Sequence, residues 1–250
     1  MSSLILGQNS QNENRFVKVL SFNILHGANT DGSFNLDVIA SVIKKADADF
    51  VSLQEVDFKT NRAKKYDLPT ELGFRTKMTS IFGRAMYYDD GEYGEAVLSK
   101  YTFISSRNVA LPYTLGNEPR AALEVTAVLK SGDTISFIGT HLDHLKTDVD
   151  RVSQAKAINK TFSKNKYPTI LSGDLNDVPT SKTINILESF WQSSYNKTDT
   201  KFTFPSENPD KKIDYVLFYP KKKWKVIAKE TICDSIASDH CGYLVTLKLE

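Results

Sequence analysis

The chain has 250 residues, 40% of them hydrophobic and 25% charged, which excludes a disordered or fibrous polypeptide. The 32 basic residues nearly match the 30 acidic ones, for a formal net charge of +2, an argument against holding nucleic acid through a general basic excess. No apolar run reaches bilayer-spanning length. The two cysteines, Cys233 and Cys241, are too few for a disulfide framework and lack zinc-ligand spacing; they read as small core residues on neighbouring strands, a bridge being compatible but not required.

Residues 1–14 hold one short apolar stretch, Leu4-Ile5-Leu6, before a Gln/Asn-rich segment. They are expected to be a flexible segment ahead of a single domain over residues 15–250. As written they form no signal peptide, so a cytoplasmic location is expected, with a periplasmic or secreted one the alternative if the segment is a trimmed signal. Phe16 to Ile24 alternates apolar and polar residues and reads as a strand running into Asn23…His26-Gly27. Asn35 to Ala46 places Leu36, Ile39, Val42 and Ile43 at helical spacing behind an Asn35 cap. Asp49 to Val56 is a second strand, ending in Gln54-Glu55-Val56-Asp57. This β-α-β unit therefore finishes both strands in polar groups, where open α/β sheets set their sites.

A short helix is expected at Pro69 to Leu72, then strands at Arg75 to Phe82, Glu95 to Ser99 and Thr102 to Leu111. Ala121 to Leu129 and Thr134 to His141 read as a hairpin around Ser131-Gly132-Asp133. Asp148 to Phe162 is the longest helix, with Val149, Val152, Ala155, Ile158 and Phe162 on one face. Thr169 to Ser172 is a strand and Ser181 to Phe190 a helix. Ile213 to Phe218, Trp224 to Thr231 and Tyr243 to Leu249 close the chain as strands, with Lys221-Lys222-Lys223 a solvated hairpin turn. More strands than helices, and widely separated long helices, suggest two packed sheets with helices outside.

The polar residues that end these strands are Asn23, Glu55, His141, Asp143, Asp174, Asn176, Asp214, Asp239 and His240. Each has an ordinary explanation alone: Gly-Asp-Leu-Asn-Asp-Val-Pro is a turn composition, and His141 could be a satisfied core histidine. As a set they are carboxylate, amide and imidazole groups without a thiol, the donor set of a hard divalent cation. So many acids in one place repel one another unless a cation offsets them. Asp214, inside Ile213-Asp214-Tyr215-Val216, needs a buried partner, for which His240 is the natural candidate.

In chain order, Ser-Phe-Asn23-Ile, Leu-Gln-Glu55-Val-Asp, Gly94-Glu95-Ala96-Val-Leu-Ser99, Thr140-His141-Leu142-Asp143, Ser-Gly-Asp174-Leu-Asn176, Ile-Asp214-Tyr and Ser-Asp239-His240 resemble the endonuclease/exonuclease/phosphatase superfamily from Val17 to Leu247. The resemblance implies an α/β (α+β) four-layer sandwich: two mixed, mostly antiparallel sheets with helices on both outer faces. It implies hydrolysis of a phosphate mono- or diester with Mg²⁺ or Mn²⁺ by direct attack of an activated water. Carried over, Glu55 is the main metal ligand with Asn23 and Asp239 nearby, and Asp174 orients or deprotonates the water. Asn176 bonds a phosphate oxygen, while His141 and His240, the latter steadied by Asp214, bind phosphoryl oxygens. Leu25 stands where many members carry an acid or His, and the adjacent His26 is expected to point the other way. Glu95 stands where many relatives have Asn, beside the phosphate. Arg62 and Arg120 resemble positions of the smaller bacterial phosphatase-like members and are candidate substrate-anion forks, with a surface salt bridge the alternative.

The leading expectation is a monomeric phosphoesterase for a small phosphorylated molecule such as a sugar phosphate, an inositol phosphate or a lipid headgroup. Tyr87-Tyr88-Asp89-Asp90 suits such a ligand better than a polyanion. A DNA or RNA nuclease ranks second, with Lys64, Lys65, Lys211 and Lys212 as its rim. An inactive binding module ranks last, because the metal-binding and water-positioning residue types are all present.

Overall fold

The computed structural model describes residues 15–197 and 201–250; the expected flexible segment, residues 1–14, lies outside them. Among the described residues, twelve strands form two six-stranded sheets. The first has the order β11 (Trp224–Ile232), β12 (Gly242–Leu249), β1 (Phe16–Asn23), β2 (Phe50–Phe58), β4 (Gly91–Ser99) and β3 (Thr79–Tyr88). The second has the order β5 (Phe103–Ala110), β6 (Ala121–Val128), β7 (Thr134–His141), β8 (Thr169–Asp174), β10 (Asp214–Tyr219) and β9 (Gln192–Ser193). Each sheet has one parallel pair, β1 with β2 and β7 with β8, in otherwise antiparallel ladders.

Helices α1 (Leu36–Ala46) and α2 (Leu68–Thr76) cover the outer face of the first sheet, packing Ile39, Ile43 and Leu72 on Leu20, Phe22 and Leu53. Helices α3 (Val149–Phe162) and α4 (Lys182–Glu188) cover the second, packing Ala155, Ile158 and Ile184 on Ile138, Leu171 and Leu217. The layers are therefore helix, sheet, sheet, helix, as the resemblance implies. Asn35 caps α1 by accepting from the Asp37 amide, as its spacing predicts.

The two sheets meet through Val17, Val19, Phe50, Val97, Val125, Phe137, Ile170, Val216 and Val245. Further along the same strands this inner face turns small and polar. Ser52 Oγ donates to the Ser172 carbonyl of the opposite sheet at 3.1 Å, and Gln54 Nε2 donates to Ser52 Oγ at 2.7 Å. A Cβ on Gly139 would lie 2.9 Å from Ser52 Oγ. Small residues thus let the layers close up where the apolar filling stops.

Several expectations are corrected. Helix α2 continues to Thr76 and is capped by Lys77 in the left-handed region (φ 58°), so the strand expected from Arg75 starts at Thr79. Val149 opens α3 but is 61% exposed and is no part of its buried face. Lys221–Lys223 form a 3-10 turn that carries the chain from β10 in one sheet to β11 in the other, rather than a hairpin. Cys233 and Cys241 form a disulfide. The register explains it: Ile232 pairs with Gly242 across β11 and β12, which sets the next residues outward opposite each other with Cα atoms 4.2 Å apart.

At Gly173 in β8, a Cβ would stand 1.9 Å from the Thr140 carbonyl oxygen of β7. Gly173→Ala must push apart the parallel pair that carries His141 and Asp174. Chemical denaturation should show a loss of about 3 kcal/mol or more; an unchanged midpoint would mean that the strands have slack there.

Candidate active site

Side chains alternate along a strand, so the residues that follow the inter-sheet core in phase are Asn23, Glu95, His141, Asp174 and Asp214. Register brings three of them abreast: Asp174 is paired with His141 on one side and Asp214 on the other. Glu55 reaches the same place differently. The β2–β4 register shifts between Leu53 and Val56, and Glu55 has φ 55°, a bulge that re-aims one side chain out of the ladder. Asp239 and His240 come from the disulfide-bridged segment between β11 and β12.

Asp214 and His240 are partners, as the sequence predicts: His240 Nδ1 is 3.0 Å from Asp214 Oδ2. His240 Nε2 lies 3.7 Å from Asp174 Oδ2. Burial opposes charge on this imidazole, but Asp214 and Asp174 together raise its pKa well above the usual value, so it is an imidazolium at neutral pH. Asp174 is itself pushed up, by burial first and then by Asp214, with His240 and its hydrogen bonds pulling the other way. Those bonds fix it rigidly: Oδ1 accepts from the Asn176 amide at 2.9 Å and Oδ2 from Asn23 Nδ2 at 3.2 Å. Donor atoms of Asp174, Asp214 and His240 all lie within 4.8 Å of one another, close enough to hold a cation. The imidazolium proton already offsets that trio, however.

The same imidazolium also acts on Glu55 and Asp239. Burial works to raise the Glu55 carboxyl, but His26 and Asn23, with the His240 charge, outweigh it and hold its pKa at about 2. Asp239 is pushed up, by burial and by the Glu55 charge against the opposing pull of His240. Both carboxylates line one cavity, and oxygen donors of this kind are what a hard divalent cation takes. Asn23 turns its amide nitrogen to both Glu55 (3.1 Å) and Asp174 (3.2 Å), while its oxygen accepts from the Leu25 amide; as arranged it orients carboxylates. His26 is corrected: its Nδ1 lies 3.7 Å from Glu55 Oε2. Leu25 (φ 46°) and His26 (φ 48°) are both left-handed, so strand alternation has ended before them.

These groups face a cavity of about 430 Å³ lined by His26, Glu55, His141, Asp174, Asn176 and His240, among others. Tyr93, Glu118, His144 and Phe204 also line it. Phe204 could not have been found by strand reading, since it packs against the His240 ring (4.9 Å) from a loop. Asn176 Nδ2 stands 2.8 Å from His141 Nε2 and 3.0 Å from the Leu142 carbonyl. Arg120, 2% exposed, contacts His141, His144 and Glu118. Arg62 lines the cavity, but its fork already grips buried Asp57 at 2.7 and 2.8 Å. Glu95 is fully buried behind the cavity wall, with neither oxygen hydrogen-bonded; burial and the Glu55 and Asp174 charges, against the opposing Arg120, drive its pKa far up. Asp143 sits outside the cavity, accepting from the Leu145 amide beside Arg151. Lys212, expected at the rim, is buried, with Nζ 2.9 Å from the centre of the Tyr243 ring.

The sequence pattern of the Endonuclease/Exonuclease/phosphatase family matches residues 20–240, a span that includes every one of these groups. The chain belongs to that family. Among solved structures, a family protein from Bacteroides vulgatus superposes with a TM-score of 0.75 at 22% identity, covering 94% of this chain and 99% of the other. A mannosyl-6-phosphatase from Bacteroides thetaiotaomicron VPI-5482 gives 0.69 at 21% identity, covering 92% and 99%. The catalytic domain of human Nocturnin, with a bound sulfate anion, gives 0.73 at 19% identity, covering 94% of each chain. At these identities the likeness is one of fold.

The buried pairing predicts how His240 titrates. In ¹⁵N spectra of histidine-labelled protein, His240 should stay protonated through pH 8. In Asp214→Asn the charge that raises it most is gone, so deprotonation should move to lower pH. Titration near the free-imidazole value of about 6.5 in both proteins would contradict the ion pair.

Proposed function

We propose that the protein is a divalent-metal-dependent phosphoesterase that acts on a small phosphorylated molecule, such as a sugar phosphate, an inositol phosphate or a lipid headgroup. The observation that carries this reading is Asp174: a buried carboxylate with a raised pKa, fixed by two amides and facing an imidazolium across the cavity floor. A raised carboxylate is suited to take a proton near neutral pH, here from a water attacking phosphorus. Asn176 Nδ2 and the His141 ring edge donate to the phosphoryl oxygens, and the His240 imidazolium opposes charge growing on them. Fixed donors of this kind supply most of what phosphoryl transfer needs.

Glu55 and Asp239 would hold Mg²⁺ or Mn²⁺, with Asn23 keeping Glu55 in place. Such an ion neutralises charge on the phosphoryl oxygens and the attacking oxygen. A metal bound only by the folded chain raises its stability. Adding Mg²⁺ or Mn²⁺ to chelator-treated protein should therefore raise the melting temperature, and Glu55→Gln should remove most of the rise. An equal rise in both proteins would place the ion elsewhere.

The small substrate is favoured over a nucleic acid by the cavity rim. Of the four lysines expected at such a rim, Lys65 is paired with Asp90 and Lys212 is buried, while Lys64 and Lys211 are exposed beside Phe34 and Phe204, a shorter basic track than a polyanion backbone calls for. The mannosyl-6-phosphatase shows that this fold serves a small phosphorylated sugar in one relative. The Cys233–Cys241 bridge suits an oxidising compartment, and so favours the periplasmic or secreted alternative.

The test is hydrolysis of p-nitrophenyl phosphate and bis-p-nitrophenyl phosphate with Mg²⁺, Mn²⁺ or EDTA, beside plasmid nicking. Metal-dependent turnover of a small ester, reduced at least about 10²-fold in Asp174→Asn, is the expected result. Efficient nicking that also requires Asp174 would establish a nuclease instead.

A further inference from the structure

The two nitrogens of the His141 ring both face donors. Arg120 Nη1 is 3.1 Å from Nδ1, and Asn176 Nδ2 is 2.8 Å from Nε2. A guanidinium has no acceptor, and the Asn176 amide is held with its nitrogen outward because that nitrogen also bonds the Leu142 carbonyl at 3.0 Å. A neutral imidazole accepts at only one nitrogen, so one of these contacts sets donor against donor. The charged contact is the stronger, since charge-assisted hydrogen bonds are roughly twice as strong as neutral ones. The proton of His141 is thereby driven to Nε2, the edge that faces Asn176 and the cavity. Arg120 Nη2 makes the same contact with His144 Nδ1, also at 3.1 Å. Burial and the Arg120 charge lower the His141 pKa, which keeps the ring neutral.

We propose that Arg120 is a positioning residue that holds His141 as its Nε2–H tautomer, so that His141 Nε2–H and Asn176 Nδ2 point together at one anionic oxygen. The Leu142 carbonyl takes one Asn176 proton and Asp174 Oδ2 stands 3.5 Å from His141 Nε2, so an anionic oxygen entering the cavity would meet the second Asn176 proton beside the Nε2–H. This departs from a role in gripping the substrate: Arg120 is 2% exposed and its Nη atoms are taken up by His141, His144 and Glu118. Without Arg120, the Asn176 amide would be free to donate to Nε2, and the His141 proton would move to Nδ1. The ring would then offer the phosphoryl group no donor on its cavity edge. The inference rests on the phosphoesterase reading for its consequence, but not for the tautomer itself.

The experiment is long-range ¹H–¹⁵N correlation on the full chain labelled at histidine, without substrate, with rings assigned from His141→Gln and His144→Gln. Wild type should show His141 with a protonated Nε2 and a bare Nδ1. Arg120→Met should move His141 toward the Nδ1–H form, while Arg120→Lys, which keeps one charged donor, should retain Nε2–H. Turnover of p-nitrophenyl phosphate by Arg120→Met should fall about 10²-fold in kcat with a smaller change in KM. A wild-type His141 protonated at Nδ1 overturns the proposal, as does an identical tautomer in wild type and Arg120→Met. Should Arg120→Met fail to fold, the wild-type spectrum and Arg120→Lys still decide. Absence of turnover in wild type would sink the phosphoesterase reading and leave the tautomer assignment standing.

Discussion

Everything in this molecule depends on two sheets sharing one inner face whose chemistry changes along its length. Where Val, Phe and Ile fill it, the layers are held by burial, and apolar area removed from water stabilises by about 25 cal/mol per Å². Where Ser52, Gln54, Gly139 and Ser172 replace them, the sheets stay close through small side chains and a few hydrogen bonds. Only beyond that do the carboxylates and histidines begin. The apolar end fixes the strands, and the strands then impose positions on charged groups that would separate if free.

The charged end is a region of opposed forces. Asp174 and Asp214 face each other across one rung of the ladder, and two carboxylates at that spacing repel. The His240 imidazolium offsets them, and Asn23 spends its amide on two carboxylates at once. Glu95, with neither oxygen hydrogen-bonded, is pushed toward its neutral form by burial and by the Glu55 and Asp174 charges. Sites of this kind store electrostatic strain that the rest of the fold must outweigh.

Much of this was legible in the sequence because strands have a period of two. Apolar runs ending in Asn23, His141 and Asp174 gathered those residues into one candidate set, and Asp214 was matched with His240 because a buried acid needs a partner. What was not legible arises where the backbone leaves its regular path. Lys77 ends a helix without glycine, so the next residues looked like strand too early. Leu25 and His26 turn back with positive φ and bring His26 to Glu55. Lys212 sits in a cluster of Tyr195, Tyr215 and Tyr243, and no pattern in Lys211-Lys212 separates such an amine from a solvated one.

The bulge at Glu55 also acts as a phase shifter. Before it, odd-numbered Val51 and Leu53 face the helices; after it, even-numbered Val56 does. The extra residue thus inverts the parity of the rest of β2 and swings Asp57 inward, where it is fully buried and grips Arg62. Paired as a regular ladder with no bulge, the same residues would turn Val56 inward and Asp57 toward the helices; removing one residue from Gln54–Glu55 would restore the ladder and leave the facing of both unchanged. The irregularity that aims one carboxylate at the cavity is therefore also what keeps the end of the strand right side in.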